Sequence, residues 1–246
     1  MKKLLQYRQK VRTFILDTLF PISCLVCQTQ INRWICPSCL EKIPLQKEQV
    51  CPICERIITP KGEVCFSCRK KNSIDGLLVC ASYKEKTISR AVHYFKYRFV
   101  EKISIPLGKI MLKSFLSFNL LLPDLIVPIP LHCRRLRWRG FNQSQLLANY
   151  LGENLTPGFE IVVSKNNLIR KRYTLPQMKI KNFKERQENM QNAFAVLRKK
   201  EIQGKNILLV DDIATTGSTL FECAQTLKKA GAKKVFGIVI ARQKSN

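Results

Sequence analysis

The sequence predicts an α/β protein: a doubly wound parallel sheet with a small cysteine-rich domain ahead of it. Three observations carry that prediction. Short apolar, β-branched runs alternate with helix-patterned stretches beyond residue 75, four C-x-x-C pairs occupy residues 24–68, and one apolar run ends in two adjacent acids followed by small and hydroxyl-bearing residues. A chain of 246 residues with 46% hydrophobic and 9% aromatic content has enough apolar material for one main core plus a smaller module, and general disorder is excluded.

The elements follow in chain order. "MKKLLQYRQKVRTFILDTLFPISC" begins basic like a secretory leader, but Arg8, Lys10, Arg12 and Asp17 interrupt any apolar stretch. Leu4, Leu5, Val11, Ile15, Leu19 and Phe20 share one helical face, so residues 1–20 are expected to form an amphipathic helix that packs on the protein or lies on a membrane. No uncharged apolar run reaches the length of a membrane helix, which makes the cytoplasm the expected compartment, with peripheral attachment to the inner membrane face as a variant.

Residues 21–75 hold Cys24 and Cys27, Cys36 and Cys39, Cys51 and Cys54, Cys65 and Cys68. Two thiolates spaced by two residues fit one tight turn, and two such turns complete a tetrahedral sulfur cage. Four pairs therefore make two zinc sites. The preferred pairing is sequential, first four cysteines and last four, with interleaving open. A disulfide scaffold needs an oxidising compartment, and an iron–sulfur cluster is a minority alternative. With every position taken by protein, the zinc is structural. Cys80, Cys133 and Cys223 stand alone and read as buried or unreactive thiols.

After "KNSIDG", residues 76–246 read as the main domain. "GLLVCASY", "DLIVPIPL", "FEIVVS", "NILLVDD" and "KVFGIVIA" are expected strands; Ile88–Tyr97, Ile103–Phe118, "FNQSQLLANYLGENL" and "STLFECAQTLKKAGA" are expected helices. Runs that are apolar throughout suit parallel strands covered on both faces.

In such sheets ligands bind beyond the carboxyl ends of the strands, where "VDDIATTGST" lies. Gly217 allows close backbone approach, the hydroxyls of Thr215, Thr216, Ser218 and Thr219 can donate, and the helix opening near Ser218 favours an anion. Asp211 and Asp212 would repel phosphate, so they should accept hydrogen bonds from hydroxyls of the same ligand or help hold a magnesium ion carried by its phosphates. One ligand with a phosphate and vicinal hydroxyls satisfies both. A bare helix cap does not require two acids, and no Walker run is present.

"VDDIATTGST" resembles the phosphoribosyl pyrophosphate (PRPP) signature of type I phosphoribosyltransferases. The resemblance implies that Asp211 and Asp212 are the catalytic, ribose-binding acids and that Ala214, Thr215, Thr216, Gly217, Ser218 and Thr219 take the 5′-phosphate of PRPP bound with Mg2+. "HYFKYR", "VPIPLHCRRLRWRGFNQSQLLA" and "IRKRYTLPQMKIKNFKERQENMQNAF", behind a double zinc ribbon, resemble the ComF family over nearly the whole chain. The segment after "FKYR" lacks the family's usual glycine. Membership implies a competence protein that handles incoming single-stranded DNA during uptake, with other competence proteins such as a DNA-uptake helicase as partners. A scaffold with a degenerate pocket and a nucleotide-salvage transferase are the alternatives.

Lys and Arg number 43 against 17 Asp and Glu, a formal charge of +26, and residues 1–75 and the remainder of the chain share the excess. A polyanion is the expected partner. Arg134, Arg135, Arg137 and Arg139 crowd around Trp138, and Arg170, Lys171 and Arg172 form a second cluster. These groups either hold the departing pyrophosphate or neutralise nucleic-acid phosphates while Trp138 stacks on a base. The plain alternative makes Trp138 a core residue and the arginines a solvated face. His93 and His132 read as structural.

Overall fold

A computed structural model describes residues 22–57, 61–70, 73–174 and 183–243. The expected helix over 1–20 lies outside them. The chain divides into two compact units, residues 1–43 and 44–246.

The first unit holds the first four cysteines and helix α1 (Pro37–Glu41), whose Cys36 thiol caps the Cys39 amide at 3.4 Å. Pro37 suits the first helical position because it has no amide to orphan. Among the described residues of this unit, Ile35 and Ile43 are buried beside the cysteines.

The second unit opens with the last four cysteines and α2 (Phe66–Arg69), then alternates strands and helices: β1 (Gly76–Ser82), α3 (Lys86–Tyr97), α4 (Ser104–Ser117), β2 (Leu125–Pro128), α5 (Cys133–Arg139), α6 (Gln143–Asn154), β3 (Leu168–Arg170), α7 (Phe183–Met190), β4 (Phe194–Val196), β5 (Asn206–Ala214), α8 (Ser218–Lys229) and β6 (Lys234–Arg242). The main sheet runs β1-β6-β5-β2, all parallel, with Leu209 opposite Gly237 and Val127. The doubly wound parallel sheet expected from the sequence is present. Helices α4 and α6 pack on one face, and Leu220, Cys223, Ala224 and Leu227 of α8 meet Ile207, Leu209, Val235 and Val239 in the core. Each strand is closed on both sides, which is why its sequence is apolar rather than alternating.

Two differences from the sequence reading have physical reasons. "FEIVVS" is not a strand; it makes one parallel bridge, Val163 to Ile126, while Phe159 and Val162 stay exposed, so the edge of β2 engages it at a single point. The basic stretch Cys133–Arg139, absent from the expected helices, is helix α5, capped by His132 Nδ1 accepting from the Arg134 amide and ended by Gly140 at φ 80. An antiparallel pair, β3 with β4, sits apart from the main sheet.

β1 is an edge strand, and unpaired edge groups invite further pairing. Ribbon residues cover it. Leu45 bridges Ala81, Glu63 bridges Gly76, and buried Gln49 both donates to the Val79 carbonyl at 3.0 Å and accepts from its amide at 2.9 Å. Cys51, Val64, Cys65 and Ile74 are buried in the same core as β5 and α8. Directly after "FKYR", Phe99 takes φ 56, a left-handed conformation that costs a non-glycine residue roughly 1–2 kcal/mol.

Candidate functional site

Strand β5 carries both acids, and strand alternation sends their side chains to opposite faces of the sheet. Asp211 Oδ1 accepts from Ser144 Oγ at 2.8 Å and from the Asp212 amide at 2.9 Å. Asp212, 5% exposed, pairs with Lys96 Nζ at 3.0 Å, and its Oδ1 also accepts from the Ile213 amide at 2.7 Å. Burial first, and the neighbouring charge of Asp212 second, push the Asp211 carboxyl up to about 7. Two carboxylates this close resist ionising together. Lys96, at the end of α3, and Ser144, at the start of α6, were not singled out by sequence reasoning. Their one signal was membership of the segments "HYFKYR" and "FNQSQLLA", which carry the family resemblance.

Beyond β5 the chain turns through Thr215 and Thr216 to Gly217, at φ 82, which caps α8 without a side-chain acceptor. The Ser218 amide donates to Thr216 Oγ1 at 3.5 Å, which leaves the Thr219 and Leu220 amides of the first turn to face an anion. A Cβ at Gly217 would stand 2.7 Å from the Phe221 ring. The hydroxyls divide into two kinds. Thr216 and Ser218 are buried and bonded to each other at 2.8 Å, whereas Thr215 and Thr219 are half-buried. Ala214 closes the strand, its carbonyl accepting from the Gln243 amide at 2.8 Å.

The basic residues also divide. Arg134 and Arg137 are exposed on α5, and Trp138 is 61% exposed, so the core reading of that tryptophan does not hold. Its ring meets Phe99, 40% exposed, edge-on with centroids 5.2 Å apart. Arg134 and Arg135 flank the exposed Tyr173 ring at 5.4 and 5.7 Å. Arg139 donates to Gln143 Oε1 at 3.0 Å, while its buried Nε has no protein partner.

Arg170 turns inward, bonded to the Thr174 hydroxyl and 3.5 Å from Met190 Sδ, and burial pulls its pKa down to about 10. Its Nε, too, is buried without a protein partner. Arg172 donates to the carbonyls of Asn189 and Gln191 at 2.9 and 2.8 Å, where it fastens the end of α7; Lys171 is exposed. His132 has its pKa lowered by burial and then by surrounding arginines. Cys80 and Cys223 are buried as expected, but Cys133 is exposed, 3.7 Å from His132 Nδ1.

The cysteines gather into Cys24, Cys27, Cys36, Cys39 and Cys51, Cys54, Cys65, Cys68, each set with its sulfurs within 4.8 Å of one another. The pairing is sequential. Four sulfurs about 2.3 Å from a tetrahedral ion stand about 3.8 Å apart. Cys27 and Cys36 Sγ lie 3.8 Å apart, and Cys54 and Cys65 Sγ 3.7 Å. The Cys36 amide donates to Cys24 Sγ at 3.4 Å, the kind of bond that favours a thiolate ligand. Both knuckles turn the same way, through Gln28 at φ 61 and Glu55 at φ 57. The donor sets fit two structural zinc ions.

Residues 15–69 match the double zinc ribbon domain family and residues 168–246 the phosphoribosyl transferase domain family. The DNA utilization protein YhgH of Salmonella typhimurium is 32% identical over 222 residues, covering 87% of this chain and 94% of that protein. Competence protein F of Haemophilus influenzae is 27% identical over 88% of this chain and 95% of its own. The chain belongs to the ComF family. Competence protein ComFC of Bacillus subtilis, 27% identical over 85% of this chain and 89% of its own, is a further ComF relative. Among the described residues no helix is long and apolar enough to cross a membrane.

Proposed function

We propose that this ComF protein binds PRPP with magnesium at the carboxyl end of β5 and single-stranded DNA on the basic, aromatic surface of α5, as a cytoplasmic factor in DNA uptake and handling. The observation that carries the reading is the acid pair followed at once by a glycine-capped helix start, which offers hydroxyl acceptors and phosphate donors to one ligand. Asp211 and Asp212 would hold the ribose hydroxyls or a magnesium ion arriving with the phosphates, which would neutralise the leaving pyrophosphate. Lys96 already balances the acids, so ligand hydroxyls compete with an ammonium for Asp212. Arg170, whose inward guanidinium has a spare Nε donor, and Arg135 are the cations suited to the pyrophosphate.

In the transferase form of this reading an acceptor atom bonds to the ribosyl C1 as the C1–oxygen bond to pyrophosphate breaks. In the binding form the same pocket senses the ligand. Pyrophosphate release on incubation with free bases or single-stranded DNA supports transfer; PRPP binding without release supports the sensor.

The DNA half rests on the exposed Phe99 and Trp138 rings beside Arg134 and Arg137, together with the names of the competence relatives. Stacking on such rings contributes about 1–3 kcal/mol per base, and phosphate neutralisation makes affinity fall steeply with salt. Trp138→Ala should weaken single-stranded DNA binding by about tenfold or more in a salt titration. A flat salt response would remove the DNA reading.

A further inference from the structure

The second cysteine knuckle is tied to the β5 turn by one arginine. Glu55 directly follows Cys54, held left-handed at φ 57 with its amide donating to the Cys51 carbonyl at 2.9 Å. Its Oε1 lies 3.0 Å from Nη2 of Arg242, whose side chain is only 11% exposed. The Nε of the same guanidinium donates to the Thr215 carbonyl at 3.3 Å, and the next amide, that of Gln243, donates to the Ala214 carbonyl at 2.8 Å. An enclosed guanidinium needs a counter-charge, and a planar fork presents its nitrogens in fixed directions. One guanidinium thus touches both the knuckle and the turn. The first knuckle is built differently at this point: Gln28, four residues after Cys24, carries an uncharged amide where Glu55 carries a carboxylate four residues after Cys51.

We propose that Arg242 is a positioning residue through which the second zinc knuckle sets the geometry of the Ala214–Gly217 turn, so that metal at the second tetrad and a phosphoribosyl ligand at the turn favour each other. The ligand half rests on the phosphoribosyl reading of the turn; the mechanical tie does not. Coupling of this kind is reciprocal. PRPP should slow the chelator-driven loss of one of the two zinc ions and leave the other unchanged.

The test uses Glu55→Gln in the full chain. The half-exposed site keeps its shape, but Arg242 loses its acid. Three quantities are read: zinc per chain by native mass spectrometry, amide hydrogen exchange over residues 214–219 without ligand, and calorimetric affinity for magnesium PRPP. The expected result is two zinc ions retained, faster exchange in the turn, and affinity lowered about fivefold or more. Arg242→Lys, distant in sequence from the cysteines, reads the same tie should Glu55→Gln shed metal, and it should lower affinity in the same direction. Unchanged exchange overturns the tie, and faster exchange with unchanged affinity overturns the coupling. Faster exchange in a protein whose unmutated form does not bind PRPP keeps the tie and discards the phosphoribosyl reading instead.

Discussion

The two cysteine tetrads have the same ligands, the same pair spacing and the same left-handed residue after each first pair, yet they do different physical work. Among the described residues of its unit, the first has only Ile35 and Ile43 as buried aliphatic neighbours, so metal supplies much of what holds that stretch together. The second has Cys51 and Cys65 packed with Val64 and Ile74 into the core beneath β5 and α8, and its flanking segments cover the edge of β1. Identical coordination chemistry can staple a stretch with few described apolar neighbours in one place and join the core of the sheet domain in another. What decides is the apolar surface around the metal.

The largest test of that contrast compares Cys65→Ser with Cys39→Ser. Each should remove one zinc. Cys65→Ser should lower the unfolding free energy of the sheet domain by about 3 kcal/mol or more, while Cys39→Ser should leave that transition within about 0.5 kcal/mol, as followed by denaturant melts. Equal effects would erase the distinction. Val64→Ala, which empties space shared by ribbon and sheet without touching a ligand, should cost about 2 kcal/mol with both zinc ions retained. Gly217→Ala asks a residue at φ 82 to accept a Cβ against Phe221, and it should cost about 1 kcal/mol while loosening the turn more than the sheet.

The last expected effect is electrostatic. Asp211 holds its proton up to about 7 in the folded state because burial, then Asp212, disfavours its charge. The folded state therefore binds more protons than the unfolded chain between about 4 and 7, and this group's contribution to stability is lost as pH rises through that window. Asp211→Asn keeps an oxygen for Ser144 and the Asp212 amide, so it should flatten that slope and gain stability relative to the parent at pH 8. Denaturant midpoints at pH 5 and pH 8 measure it.

What could be read in advance was what is local. The C-x-x-C turns and the β5–α8 turn carry their chemistry within a few residues, so spacing alone located them. The partners of Asp211 and Asp212 come from Ser144 and Lys96, far away in sequence, and only the packing of α3 and α6 against β5 brings them in. The basic segments show the same limit from the other side. Arg172 and Arg134 look alike in sequence, yet one fastens carbonyls at the end of α7 and the other stands exposed beside Tyr173. "FEIVVS" has strand composition but only one residue of β2 to pair with. The boundary between compact units falls between the tetrads, at residues 43 and 44, where the spacing of the cysteines carries no mark of it.

We propose that the acid pair and the turn beyond it form one ligand site. Thermal unfolding with and without magnesium PRPP tests it most directly. At about 100-fold excess over Kd, the unmutated chain should gain about 5 °C or more in Tm, and Asp212→Asn should lose most of that gain while keeping both zinc ions. No shift in the unmutated chain, or an undiminished shift in Asp212→Asn, would contradict it.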